Sequence, residues 1–100
     1  MKIFWSDRAI SDLAEIRDYI AEDSPAAAGR VLERIFSVVE NLALFPDQGR
    51  QVPEAEDLPD VRELLVDSYR VIYRRRSSEV EVASVVHARR DLPRIDPRPW

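Results

Sequence analysis

Five side chains in the last third of this sequence have the types and spacing to act together on a charged group. Arg70 and Arg74 stand four apart in Tyr69-Arg70-Val71-Ile72-Tyr73-Arg74, so an extended chain turns both to one side. His87, Arg89 and Arg90 follow a second apolar run, in Val86-His87-Ala88-Arg89-Arg90-Asp91. Guanidinium forks hold phosphate or carboxylate through paired hydrogen bonds. An imidazole gives or takes a proton near neutral pH. RNA cleavage needs this set: a base for the 2′-hydroxyl, an acid for the leaving oxygen, and cations for the charged phosphorane. The same residues also have plainer uses. Strand arginines keep an open sheet face soluble, or pair with Glu63, Asp67 or Glu81. A histidine at a strand end commonly serves as a hydrogen-bonded surface residue. Tyr69, Tyr73 and Trp5 read as packing residues, and Arg74-Arg75-Arg76 as a solvated turn.

The elements that must position these residues follow from hydrophobic period. Residues 2–5 read as a short strand. Ser6 then suits a helix N-cap, with Asp7 in the first turn where the helix dipole favours an acid. Residues 7–22 carry Ala9, Ile10, Leu13, Ile16 and Ile20 at helical spacing. Ser24-Pro25 restarts a helix, because proline at the first helical position loses no hydrogen bond. Residues 25–44 carry Ala28, Val31, Leu32, Ile35, Val38, Val39 and Leu42 on one face, with Gly29 offering close approach to the first helix. So short a link makes the pair an antiparallel hairpin. Residues 46–60 hold Pro46, Pro53 and Pro59 among five acids and read as a loop, its acidic part 47–60 expected to shield a sheet edge or, second, to contact a partner.

From Val61 the period becomes two. Strands are expected at 61–66, 69–74 and 80–86, joined as an antiparallel meander. Strict alternation sets Val80, Val82, Ser84 and Val86 against Glu81, Ala83, Val85 and His87. His87 is then expected on an open face with Arg70 and Arg74, and Arg89 and Arg90 just beyond the strand end. Residues 88–100 read as an extended or flexible tail. The order β-α-α-β-β-β predicts a single α+β domain over 1–100, a helical hairpin on one face of a small, mainly antiparallel sheet.

Composition narrows the chemistry. One hundred residues, 45% hydrophobic and 34% charged, fit one soluble domain. With no cysteine and one histidine, disulfides, thiolate nucleophiles and multi-histidine metal sites are excluded. Two glycines leave no phosphate-cradling loop. No cofactor or metal is expected. No apolar run approaches the roughly 18 residues of a membrane helix, and the start turns acidic before a signal-peptide core could form, so a cytoplasmic protein is expected. Net charge is −4, unevenly spread: residues 6–44 hold 8 acids against 4 arginines, and residues 61–100 hold 6 acids against 9 arginines. Such asymmetry suits a polyanion or an acidic partner.

Three stretches resemble a known family. They are Trp5-Ser6 with Ala9-x-x-Asp12-Leu13-x-x-Ile16-x-x-Tyr19-Ile20-Ala21; Leu42-x-x-Phe45-Pro46-x-x-Gly49-Arg50; and Tyr69–Arg74 followed by Val85-Val86-His87-Ala88-Arg89-Arg90-Asp91-Leu92-Pro93. Their order and spacing are similar to those of the RelE/ParE superfamily of toxins from type II toxin–antitoxin, or plasmid stabilisation, systems. The resemblance implies a toxin neutralised by a cognate antitoxin, which often also binds operator DNA, so that the toxin reaches DNA only through it. RelE-like members cleave mRNA on the ribosome; ParE-like members inhibit DNA gyrase. Arg70 and Arg89 match arginines that RelE-like enzymes use at the scissile phosphate, with His87 as the acid or base in that case. The lysines and the C-terminal tyrosine of those enzymes are missing: the only lysine is Lys2, and the chain closes Ile95-Asp96-Pro97-Arg98-Pro99-Trp100. Acidic net charge also disfavours docking on ribosomal RNA. The ParE-like side is therefore favoured, with Arg70, Arg74, His87, Arg89 and Arg90 as target-binding residues. The alternatives are a ribosome-dependent RNase and a non-toxic relic that only binds antitoxin.

Overall fold

A computed structural model describes residues 1–100. The strands are β1 (Lys2–Trp5), β2 (Arg50–Gln51), β3 (Val61–Val66), β4 (Tyr69–Arg75) and β5 (Glu79–His87). The helices are α1 (Asp7–Ala21) and α2 (Pro25–Glu40). The sheet order is β1-β5-β4-β3-β2, antiparallel except for the β1–β5 pair. The expected α+β arrangement holds, with β2 added inside the segment read as loop.

Local chemistry explains the helices. The Ser6 hydroxyl accepts from the Ala9 N–H at 3.0 Å, and the Ser24 hydroxyl from the Ala27 N–H at 3.1 Å. Both bonds satisfy a donor that the first helical turn leaves free. Helix α2 stops at Glu40, short of the expected 44, and continues as a 3-10 turn over Asn41–Ala43 ahead of Pro46. Gly29 does not mediate helix contact: a Cβ there would meet nothing within 4 Å. Ile10 likewise leaves the buried stripe and is exposed.

The hairpin packs on one sheet face through Ala9, Leu13, Ile35, Val39, Val71, Tyr73 and Val82. Trp5 anchors it edge-on against Phe36, ring centroids 5.3 Å apart. The other face is not open. Val52, Ala55, Val61, Ile72, Val86, Leu92 and Ile95 form a second core there, with Leu58 and Trp100 packed against it. Residues 52–58 and the tail supply its cover. The segment expected to extend instead turns back through a 3-10 turn at Leu92–Arg94. Its Pro99 carbonyl accepts from the buried Ser84 hydroxyl, and Arg8 of α1 donates to the Pro97 carbonyl at 2.8 Å.

The Phe45-Pro46-x-x-Gly49-Arg50 stretch now has a physical basis. The buried Tyr73 hydroxyl accepts from the Gly49 N–H at 2.9 Å and donates to the Pro46 carbonyl at 2.8 Å. A Cβ on Gly49 would lie 2.6 Å from the Glu63 carbonyl oxygen and 2.7 Å from that hydroxyl, so only glycine fits. This lock delivers Arg50 to the edge of β3, where it pairs with Glu63. The acidic segment thereby covers the sheet edge.

Candidate functional site

Strand alternation sets Arg70, two residues before Ile72, on the face of the second core. There it is 6% exposed and held between two carboxylates. Its Nε donates to Glu63 at 2.5 Å, and its Nη1 and Nη2 donate to the two oxygens of Glu54 at 3.0 and 2.8 Å. Glu63, 1% exposed, also accepts from Arg50 Nε at 2.7 Å. Two cations and two anions thus neutralise one another. The hydrogen bond from Arg70 holds the Glu54 carboxyl below its usual range, against the opposing effect of burial. Hydrogen bonding to Glu54 raises the Arg70 pKa in turn. Of the readings open for the strand arginines, pairing with Glu63 is the one realised for Arg70. Arg74, on the same face, sits 3.7 Å from Asp60.

His87 does not join them. The β4–β5 register runs Ile72 to Ser84 and then Tyr73 to Val82, leaving Ala83 without a partner. This bulge reverses the alternation of everything after it. Val80 and Val82 face the helices with Tyr73, but so do Val85 and His87, while Ser84 and Val86 face away. His87 lies edge-on to Tyr69, ring centroids 5.5 Å apart. Its Nδ1 accepts from the Arg89 N–H at 3.1 Å, so the neutral ring carries its proton on Nε2. Arg89 and Arg90 are exposed on the turn beyond, and no carboxylate pairs with either.

The structure therefore divides the expected cluster in two. Arg70 and Arg74 are spent on internal pairs, and His87, Arg89 and Arg90 remain at the surface. Beside His87 opens a cleft of about 650 Å³ between the helices and the end of β5. Ile16, Ile20, Val31 and Tyr69 supply apolar lining; Arg8, Arg34, Arg90, Asp12, Glu15 and Asp67 supply charge. Asp12 accepts from the Val85 N–H at 2.9 Å. Partial burial pushes its carboxyl above the usual range, although that bond and Arg8 oppose the shift. The sequence gives no role to Asp12, which lies off the apolar stripe, or to Glu54, which sits in a 3-10 turn within the segment read as loop. No group of acids or histidine has metal-site geometry, and no helix is long and apolar enough to cross a membrane.

Residues 3–92 match the family described as ParE toxin of type II toxin-antitoxin system, parDE. This chain belongs to the ParE toxin family. The match spans both helices and all of the sheet but Lys2, so the resemblance to the RelE/ParE superfamily is confirmed. Two toxins are similar to this chain over most of its length. Y4kP of Sinorhizobium fredii is 39% identical over 95 residues, covering 94% of this chain and 95% of that one. Toxin RelE2 of Caulobacter vibrioides is 34% identical over 90 residues, covering 89% and 97%. A chain from the chromosomal ParDE system of P. aeruginosa superposes with a TM-score of 0.71 at 24% identity, over 87% of this chain and 95% of that one, and so shares the fold. This ParE-family chain is thus a toxin of a type II toxin–antitoxin system.

Proposed function

We propose that this toxin acts by binding a protein target, DNA gyrase, rather than by cleaving RNA. One observation carries the reading. Arg70, which the family resemblance would place at a scissile phosphate, is buried and neutralised by Glu54 and Glu63. A phosphodiester would have to displace two carboxylates from it. No catalytic pair forms with His87, because the bulge at Ala83 puts the two on opposite faces. What remains at the surface is a recognition patch of His87, Arg89 and Arg90, with Arg70 and Arg74 acting as its internal supports. A gyrase inhibitor of this kind works in the cytoplasm, without cofactor or metal.

The cognate antitoxin is the second partner of the proposal. The solved neighbour comes from a ParDE toxin–antitoxin system. Here Trp5, Ile10, Leu13, Leu32 and Phe36 line an apolar groove along the helical hairpin. Such a groove suits the apolar face of a partner helix. Contact with operator DNA then runs through the antitoxin.

The test is pulse induction without antitoxin, following labelled thymidine and labelled leucine over the first minutes. Thymidine incorporation is expected to stop first. Earlier arrest of leucine incorporation would overturn the gyrase reading and restore the ribosome-dependent RNase. Normal growth with folded toxin present would leave only an antitoxin-binding relic.

A further inference from the structure

We propose that the outer edge of β1 is a dimer interface, where a second copy of this chain adds its own β1 antiparallel about a two-fold axis at Phe4.

Strand β1 ends the sheet, with β5 on one side and no strand on the other. The Ser6 N–H donates to the Val82 carbonyl at 3.0 Å, so Ser6 turns its backbone towards β5. Backbone groups two residues apart in a strand point the same way. Lys2 and Phe4 therefore bond to β5, and Ile3 and Trp5 turn N–H and carbonyl outward. No element and no side chain bonds those four groups. The other edges are handled differently. β2 is two residues long. Beyond β1, the edge of β5 is met by the Ser6 hydroxyl, which donates to the Ala83 carbonyl at 2.8 Å, and by Asp12, which accepts from the Val85 N–H. β1 carries neither proline nor bulge, and Phe4 on it is 41% exposed.

Register selects the occupant. With the axis at Phe4, Ile3 of each copy stands opposite Trp5 of the other. Two hydrogen bonds at each Ile3–Trp5 pair then satisfy every outward group on both strands. The faces also match, because paired residues project to one side of a sheet. Ile3 and Trp5 stay on the helix side, where both pack against the main core, and the two Phe4 rings meet on the other side. An axis at Ile3 would set Trp5 against Met1, whose amino group already donates to the Ala43 carbonyl at 2.7 Å. An axis at Trp5 would set Ile3 against Asp7, which is helical. Charge completes the fit. Lys2 lies opposite Ser6 of the second copy and one residue from its Asp7. Neither Lys2 nor Asp7 has an ion-pair partner in its own chain, so the axis creates two pairs of opposite sign. A strand from another protein must match all of these features separately; a second copy supplies them by symmetry. The hairpin groove shares only Trp5 with this edge, by its ring rather than its backbone. Each dimer carries two patches of His87, Arg89 and Arg90.

The experiment uses the full-length toxin, as wild type, Ile3→Pro, Phe4→Cys and Lys2→Cys. Sedimentation of wild type from about 1 to 100 µM spans micromolar self-association, and the two-chain mass is expected at the upper end. Ile3→Pro deletes only an outward N–H, a change that an edge strand tolerates. Circular dichroism should stay native while dimer affinity falls about tenfold or more. The cysteine variants do not depend on that result. The chain has no cysteine of its own, so each reports the register directly. Phe4 would lie about 4.5 Å from its copy between Cα atoms, within disulfide reach, and Lys2 about 13 Å from its copy. With glutathione disulfide as oxidant, Phe4→Cys is expected to become a covalent dimer and Lys2→Cys to stay monomeric. Monomeric wild type at every concentration would overturn the proposal. So would a dimer that keeps its affinity in a natively folded Ile3→Pro, or that cross-links through Lys2→Cys in preference to Phe4→Cys, since self-association would then use another surface or register.

Discussion

Replacing Arg70 by Met separates a structural arginine from a catalytic one. The substitution removes three donors, one to Glu63 and two to Glu54. The two carboxylates respond differently. Glu54 is partly exposed and regains water. Glu63 has no exposed side-chain surface and keeps only Arg50. Breaking a buried pair by removing one partner costs about 3–5 kcal/mol. The surviving Arg50 contact places this case at the lower end, about 3 kcal/mol. For a domain of this size that lowers Tm by about 12–24 °C. A solvent-facing arginine waiting for substrate would cost no more than about 0.5 kcal/mol. Thermal unfolding followed by circular dichroism measures the difference, with urea titration as a check on slope. A second variant isolates the cause. Arg70→Met with Glu63→Leu replaces the pair by apolar groups and should recover most of the loss. A single variant that melts within about 3 °C of wild type would refute the reasoning, since that is less than 1 kcal/mol. So would a double variant less stable than the single one.

Other consequences are as direct. Glu54 titrates below its usual range, so its contribution is complete above about pH 4.5 and fades as pH falls through its folded value. In urea melts from pH 7 to pH 3, the stability gap between wild type and Glu54→Gln should therefore narrow towards the acid end; a constant gap would contradict this. The two glycines should respond with opposite signs. Gly49→Ala meets backbone and the Tyr73 ring and should cost about 2 kcal/mol or more, whereas Gly29→Ala, in open space on a helix, should add up to about 1 kcal/mol. Calorimetric Tm values of the pair decide it. Tyr73→Phe strands the Pro46 carbonyl and the buried Gly49 N–H, and a loss of about 1–3 kcal/mol is expected. Unchanged stability would show that the hydroxyl does not hold the loop.

Much of the architecture was legible because local signals and global fold agree. Ser6, Ser24 and Pro25 mark helix starts by satisfying or not needing a backbone donor. Alternation over Tyr69–Arg74 separates a helix-facing row from the row on the other side. The site was less legible, for three physical reasons. The bulge at Ala83 leaves no mark in the sequence, since any residue can be the unpaired one. Pairing in β2 lasts two residues, too few for a period to appear. The tail carries prolines, which read as extended chain, yet Leu92 and Ile95 are buried beneath it. Together these close the face that seemed open and withdraw Arg70 from solvent. Glu63 held the clue: an acid on the sheet face of Val61, Ile72 and Val86 requires a cation nearby, and Arg70 lies on that face.

The bulge has an evolutionary consequence. Val85 and His87 share the face of Val82 although an odd number of positions separates them from it, because Ala83 is looped out of the pairing. Deleting the single codon for Ala83 would therefore leave even alternation, with Ser84, Val85, Val86 and His87 on the faces and opposite the partners they have now. A codon lost elsewhere in the last strand would turn the side chains beyond it to the other face, unless the bulge were used up to restore the register. The unpaired residue thus gives this strand one position of slack, and a lineage built on this sheet can lose a codon there without exchanging its surfaces.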